Sequence, residues 1–233
     1  MKRSIKNYLH YLVIACVLIL STSCAKDNED VEPQRGIQRS ELIITAMSAD
    51  VTAHGDHFHG IAKGTEKESI TVKFDNNGQA VENGHLHLDA NVVYKIQLKV
   101  FDYENKEIQH EYIANKEVAN SYKAFLVGDK LKLNDEQEDF KGSIFYPRDL
   151  AYSNGQLTDT YNVYELTGIL SYFIIGEDNA KETQKLSYVL RKFADPSIKS
   201  KVELKDLIRP DYFSVFHGTD ILNLKFEVHA GSH

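Results

Sequence analysis

The sequence predicts a mainly β protein, either an antiparallel β-sandwich or two packed sheets. After residue 41, about nine or ten short segments alternate apolar and polar residues with a period of two. Turn-forming residues separate these segments, and the spacing of an amphipathic helix is almost absent. The composition, 42% hydrophobic and 26% charged, is that of a globular chain large enough to bury a core.

The first residues have the features of an export signal. Lys2, Arg3 and Lys6 precede an apolar run at 11–20, which is too short to span a bilayer of roughly 30 Å as a helix. We therefore expect residues 1–23 to be a signal peptide.

The signal segment ends in LSTSC, which resembles a bacterial lipobox. The leucine, Leu20, lies one position further from the cysteine than in the usual pattern. The resemblance implies that Cys24 is lipidated, becomes the mature N-terminus and attaches the protein to a membrane. The alternative is a secreted protein that is cleaved near Ser23.

Residues 24–40 lack apolar periodicity and are predicted to form a flexible tether. Its charged start, with Lys26, Asp27, Glu29 and Asp30, resembles the export signal of surface lipoproteins of Bacteroidota. This resemblance implies an outer-membrane lipoprotein exposed on the cell surface. The alternative is a solvated linker on a protein that faces the periplasm.

The body, residues 41–233, is predicted to be one β-sandwich domain. If it has two halves, the break lies near 133–140, where acidic residues replace the alternation. Asp75–Gly78 is predicted to be a hairpin turn, and Ser197–Ile208 a short helix. The predicted strands, in chain order, are 41–47, 69–74, 84–89, 92–101, a return strand at 107–113, 124–128 with 131–134, 142–146, 166–175, 185–193 and 221–230.

Charge and cysteine content exclude two classes of function. The 34 acidic residues outnumber the 27 basic ones, and loss of the basic signal peptide makes the chain more acidic, which argues against nucleic-acid binding. The two cysteines lie at or before Cys24, so the body has no disulfide and no thiolate ligand. Any metal must be bound by nitrogen and oxygen atoms.

The histidines are clustered. His54, His57 and His59 lie within AHGDHFHG, and neutral imidazole is the commonest metal ligand near neutral pH. In an extended segment, His57 and His59 project to the same side, and a turn at Gly55 and Asp56 can bring His54 beside them. We therefore predict that these three histidines bind a metal ion.

A second pair, His85 and His87, lies in the strand-like GHLHLD. Tetrahedral zinc takes four donors, and a hairpin over residues 68–80 would bring His87, or else His85, beside the first three histidines as the fourth. Asp56 or Asp89 would then accept hydrogen bonds from the ligand imidazoles and fix their tautomer.

The segment HGDHFH is similar to the HGDHYH motif of the streptococcal histidine triad proteins, with Phe58 in place of tyrosine. The three histidines of that motif bind zinc. The resemblance implies that His54, His57 and His59 are zinc ligands. It covers these six residues and no further part of the chain.

The predicted function is binding of Zn²⁺ by a surface lipoprotein, for metal acquisition or buffering, with transfer to a TonB-dependent outer-membrane receptor as one route. Other divalent metals, nickel or copper, also suit imidazole. One alternative is a lipid-anchored binding module with a structural metal, or with a haem or carbohydrate ligand on its tyrosine-rich surface. A zinc hydrolase is disfavoured, because the sequence lacks HExxH and related catalytic motifs.

Overall fold

The computed structural model describes residues 36–134 and 141–231. The predicted signal peptide, Cys24, the tether up to residue 35, residues 135–140 and His233 lie outside these ranges. From Arg35 onward, the chain forms one compact unit. Among the described residues, none of the helices has the length and apolar character of a membrane-spanning segment.

The prediction of a mainly β fold is confirmed. In chain order, the described strands are β1 (Ile37–Met47), β2 (Thr52–His54), β3 (His57–His59), β4 (Glu66–Phe74), β5 (Ala80–Glu82), β6 (His85–Asp89), β7 (Tyr94–Asp102), β8 (Tyr122–Gly128), β9 (Ile144–Pro147), β10 (Leu170–Ile174), β11 (Gln184–Phe193) and β12 (Gly218–Gly231). β1 begins before residue 41, so the last residues assigned to the tether belong to a strand.

The strands form two large sheets and a small hairpin. A six-stranded antiparallel sheet has the order β5-β4-β1-β7-β10-β9, and a four-stranded sheet has the order β6-β12-β11-β8. The pairing of β6 with β12 is parallel, and β2 pairs with β3 alone. As predicted, residues 75–78 form the turn between β4 and β5, and Gly78 there adopts a φ of 73°.

The two large sheets share one hydrophobic core, as in a β-sandwich. Alternation along each strand sends every second side chain inward. Phe74 of one sheet meets Phe226 of the other at a ring-centroid distance of 6.4 Å, and Phe145 meets Tyr188 at 6.3 Å. A smaller cluster around Met47, which includes Tyr146 and Tyr172, packs the β2-β3 hairpin against the six-stranded sheet.

Some element predictions are wrong for local reasons. The predicted return strand at 107–113 is largely a 3-10 helix, Gln109–Ile113. The Gln109 side chain accepts the Val100 amide at 3.1 Å and so takes the place of a ladder partner. Residues 131–134, predicted to be a strand, form only an isolated bridge at Leu133. The side chain of Asn134 instead accepts the amides of Lys141 and Gly142.

The predicted helix at 197–208 is two short 3-10 helices, Pro196–Lys201 and Leu204–Ile208. Val202 lies between them in an extended conformation and is fully buried, so core packing interrupts the helix. The remaining helices of the described ranges were not predicted: Lys116–Ala119, Glu177–Asn179 and Tyr212–Val215.

Strand β10 starts later than the predicted segment because the preceding loop is bound to a buried carboxylate. Asp149, only 4% exposed, accepts the amides of Thr167, Gly168 and Leu170 at 2.7, 2.6 and 2.9 Å. Three amides on one carboxylate fix a loop conformation that is incompatible with a regular strand. Gly168 accordingly adopts a φ of 105°.

Two buried lysines, which the sequence did not point to, hold the same loop. The ammonium of Lys123 donates to the carbonyl of Leu166 at 2.8 Å, and that of Lys199 donates to Ala119 O at 2.6 Å and Thr167 Oγ1 at 3.1 Å. Burial lowers the pKa of Lys123 well below its ordinary value and lowers the pKa of Lys199 to about 7.

Candidate metal centre

The first histidine cluster lies on a tight hairpin. β2 and β3 pair antiparallel through a turn made by Gly55 and Asp56, and His54 lies directly opposite His57. Gly55 adopts a φ of 58°, a left-handed conformation that glycine enters without steric cost. The predicted turn therefore exists, and it brings His54 beside the other two histidines as a cross-strand neighbour.

His54, His57 and His59, called here the hairpin histidines, lie on one face. One ligand atom from each residue lies within 4.8 Å of the other two. The ring centroids are 4.8 Å apart for His57 and His59, 5.8 Å for His54 and His57, and 5.6 Å for His54 and His59. Three imidazoles at these separations form a group that can hold a metal ion.

The opposite face of the hairpin is packed against the sandwich. Phe58, 8% exposed, lies between the two ligand positions of β3 and points away from them. Its ring contacts Tyr146 and Tyr172 at centroid distances of 6.5 and 6.3 Å. Such aromatic contacts fix the hairpin, and therefore fix the direction of the alternate side chains.

A buried amide holds the turn. Asn134, 6% exposed, donates from Nδ2 to the carbonyl of Gly55 at 2.7 Å. Its own Oδ1 accepts the amides of Lys141 and Gly142 at 3.0 and 3.1 Å. The turn that carries the hairpin histidines is thus bound to a segment far along the chain, and no local sequence pattern predicts this contact.

Asp56 orients one imidazole. Asp56 Oδ1 lies 2.9 Å from His57 Nδ1, which fits a hydrogen bond donated by the ring. A proton on Nδ1 leaves the Nε2 lone pair available to a metal ion. The hydrogen bond expected of Asp56 is therefore present, and its role beside a bound metal ion stays a prediction.

Beside the histidines is a cleft of about 680 Å³. Arg148 lies over the ring of Tyr161 in this cleft, with its Cζ 5.4 Å from the ring centroid. Burial raises the pKa of the Tyr146 hydroxyl, so that group remains a neutral phenol. The cleft is lined by Asp56, His57, Phe58, His59, Gly60, Ile61, Ala62, Lys63, Tyr146, Arg148, Tyr161, Val163 and Leu204.

The structure does not bring His85 or His87 into the group of hairpin histidines. Both lie on β6, in the four-stranded sheet, with exposed side chains. The predicted 68–80 hairpin exists, but β4 pairs with β1 and β5, and the chain then passes to the other sheet before His85. The expected role of either residue as fourth ligand therefore has no support in the structure.

Asp89 is likewise placed in another role. Its Oδ1 accepts the amide of Asn91 at 2.9 Å, and its own amide donates to the Tyr94 hydroxyl at 2.8 Å. These bonds close the turn between β6 and β7. Asp56, and not Asp89, is the acidic residue that contacts a hairpin histidine.

His229, a weaker candidate in the sequence because it lies near the C-terminus, belongs to strand β12. It lies on β12 directly opposite His87, and the two ring centroids are 5.7 Å apart. Alternation in ILNLKFEVHA places the His229 side chain outward. The parallel pairing of β12 with β6 was not predictable, because paired residues such as His85 and Glu227 are 142 positions apart in the sequence. His110 and His217 are single exposed residues.

Comparison with protein-family models, with curated proteins and with solved structures gives no significant match. The resemblances to histidine triad proteins and to surface lipoproteins therefore rest on the sequence motifs alone. The observation that supports a metal site is the geometry of the hairpin.

Proposed function

We propose that the protein binds Zn²⁺ through His54, His57 and His59 and serves in metal acquisition or buffering. The observation that supports this proposal is the group of three ligand atoms within 4.8 Å on one hairpin face. Asp56 adds the orienting hydrogen bond that zinc-binding imidazoles commonly have.

Zinc is proposed because the donors are three imidazoles whose ligand atoms lie within 4.8 Å of one another. Zinc takes four ligands, with nitrogen at about 2.0–2.1 Å, and has no preference for a planar arrangement. Copper binds more tightly than zinc in most nitrogen sites, and nickel also accepts imidazole, so the test below includes both metals.

The cleft favours binding over catalysis. With three protein ligands, the fourth position on zinc is left to water or to a molecule in the cleft. A hydrolase would also need a free general base beside that position. Asp56, the carboxylate among the residues that line the cleft, is hydrogen bonded to His57. We therefore propose a binding protein.

The location is proposed from the sequence. A basic start, a short apolar run and Cys24 indicate a lipoprotein, and the acidic tether indicates the outer membrane and its outer surface. A surface lipoprotein that captures zinc would pass it to a TonB-dependent receptor or keep it as a local store. In a Bacteroidota host, Cys24→Ala should abolish palmitate labelling, and whole-cell protease treatment should degrade the wild-type protein. Labelling of the variant would contradict lipidation at Cys24.

The metal proposal is tested on the soluble mature chain from Ala25, since the unit from Arg35 onward is compact by itself. Competition titration with a chelator should show one tight Zn²⁺ per chain. The variant His54→Ala/His57→Ala/His59→Ala should lose it, whereas the control His110→Ala/His217→Ala should keep it. Parallel titrations with Cu²⁺ and Ni²⁺ give the order of affinity. Equal tight binding by the triple variant would contradict the proposal.

A further inference from the structure

The outward face of the β6-β12 pair carries a second group of metal-binding residue types. His85 and His87 lie on β6, and Glu227 and His229 lie on β12. The parallel register places Glu227 opposite His85 and His229 opposite His87. We call these four residues the edge cluster, because β6 is the outer strand of its sheet.

The edge cluster repeats the pattern of the hairpin histidines. Each has two histidines at positions i and i+2 of one strand and a third directly opposite one of them. His85 and His87 have a centroid distance of 5.1 Å, and His87 and His229 one of 5.7 Å. Imidazoles that share a tetrahedral zinc, with bonds of about 2.0–2.1 Å, have centroids roughly 5 Å apart.

The two groups differ in the fourth residue, which lies opposite the remaining histidine on the paired strand. In the hairpin, the residue opposite His59 is Thr52, which is a poor zinc ligand. In the edge cluster, the corresponding residue is Glu227, and its Oε2 lies 3.2 Å from His85 Nδ1. The edge cluster therefore contains three imidazoles and a carboxylate, a set of four donors that all suit zinc.

The strands below the edge cluster are firmly packed, whereas the cluster is open to solvent. Leu86, Leu88, Val228 and Ala230 alternate with its members and are at most 3% exposed. Alternation on two paired strands thus fixes the backbone positions of all four donors. The side chains of His85 and Glu227 remain 49% and 42% exposed, so an ion can reach them from solution.

The geometry points to a second divalent-metal site, bound by His87 and His229 with His85 and Glu227, and weaker than the first. In the described part of the chain, the hairpin histidines are the one group of three or more His, Cys, Asp or Glu residues whose ligand atoms already lie close enough together to hold a metal ion. The edge cluster must therefore rotate a side chain to close around an ion, and this ordering lowers its affinity. Two sites of unequal affinity allow one chain to buffer zinc over a wider concentration range.

The test uses the soluble mature chain and Zn²⁺ alone. The wild type should bind two ions, with the second at least about 10-fold weaker than the first. His87→Ala/His229→Ala should keep the tight ion and lose the weak one. The hairpin triple variant should lose the tight ion and keep the weak one. The two variants therefore test the two sites independently. His110→Ala/His217→Ala, which alters two exposed histidines elsewhere, should retain both ions.

A Co²⁺ titration of the hairpin triple variant gives a second readout. Tetrahedral coordination by the edge cluster should produce visible d–d absorption, and Glu227→Gln should weaken it without loss of the fold. Absence of any difference in zinc binding between the hairpin triple variant and the same variant with His87→Ala/His229→Ala would overturn the proposal. Half an ion per chain with a dimer in sedimentation would also overturn it, because the site would then join two chains.

Discussion

His57 Nδ1 lies 2.9 Å from Oδ1 of its chain neighbour Asp56, and His57 is one of the three hairpin histidines whose ligand atoms lie within 4.8 Å of one another. A residue that forms the hairpin turn thus also contacts the ring of a hairpin histidine. Because Gly55 supplies the left-handed turn conformation, Asp56 is free to use its side chain for the histidine. The turn and the hydrogen bond to His57 thus depend on two adjacent residues.

The first prediction concerns this contact. Asp56→Ala should weaken the tightest zinc binding about 10- to 100-fold, because His57 loses the partner that fixes its tautomer. Asp56→Asn, which retains an oxygen acceptor but loses the charge, should lose less affinity. Asp89→Ala is the matched control, since Asp89 bonds to Asn91 and not to a hairpin histidine. Chelator competition measures all three, and an equal loss for Asp89→Ala would contradict the assignment.

The positions of the histidine side chains were largely predictable from alternation. Alternation in GHLHLD puts His85 and His87 on one face and Leu86 and Leu88 on the other, and in the structure the histidines are exposed and the leucines are buried. Alternation works here because one face of each sheet is buried and the other is wet. The same rule applied to HFH gives outward histidines on either side of a buried Phe58.

What alternation does not give is strand order. Whether His87 lies beside His59 or beside His229 depends on which sheet β6 joins, and the sequence between β5 and β6 is too short to show the change of sheet. The buried lysines were missed for a related reason. A lysine is normally placed at the surface, and the groups that accept from Lys199, the Ala119 carbonyl and the Thr167 hydroxyl, come from distant segments.

The second prediction concerns the anchor of the hairpin. Phe58→Ala should lower the free energy of unfolding by about 3 kcal/mol, because it leaves a cavity against Tyr146 and Tyr172. It should also weaken zinc binding about 10-fold or more, since the ligands lose their fixed backbone. Urea denaturation and zinc competition measure the two effects. Phe213→Ala, at a site 58% exposed, is the control, and an equally small change in both variants would contradict the anchoring role.

The third prediction compares the effect on stability of substituting two glycines, Gly55 in the hairpin turn and Gly60 directly after β3. A Cβ on Gly60 would lie 1.9 Å from the carbonyl oxygen of Asp50, at a φ of 75°, so Gly60→Ala should cost more than about 2 kcal/mol. At Gly55, with a φ of 58°, a Cβ would meet nothing within 4 Å, and asparagine tolerates this conformation. Gly55→Asn should therefore cost less than about 1 kcal/mol. Denaturant midpoints compare the variants, and equal losses would contradict the clash.

The last prediction concerns Lys199. Its pKa is lowered by burial to about 7, below that of an unfolded lysine, so the folded chain binds fewer protons than the unfolded chain above pH 7. Stability should therefore rise with pH from about 7 to about 9.5. Below pH 7 Lys199 is protonated in both the folded and the unfolded state, and the folded state then carries the full free-energy cost of a buried ammonium. Above about pH 10 buried tyrosines such as Tyr112, whose pKa is raised to about 12, reverse the trend.

The substitution Lys199→Met should reduce the slope of unfolding free energy against pH by up to about 1.4 kcal/mol per pH unit, and Lys123 retains the remainder. Loss of the hydrogen bonds to Ala119 and Thr167 lowers the stability of the variant at every pH. It does not affect the result, because the measurement compares the slope of unfolding free energy against pH and not the absolute stability. Lys201→Met, an exposed lysine of the same short helix, should keep the wild-type slope. Urea denaturation at half-unit pH steps measures this, and identical slopes for both variants would show that Lys199 is not the titrating group.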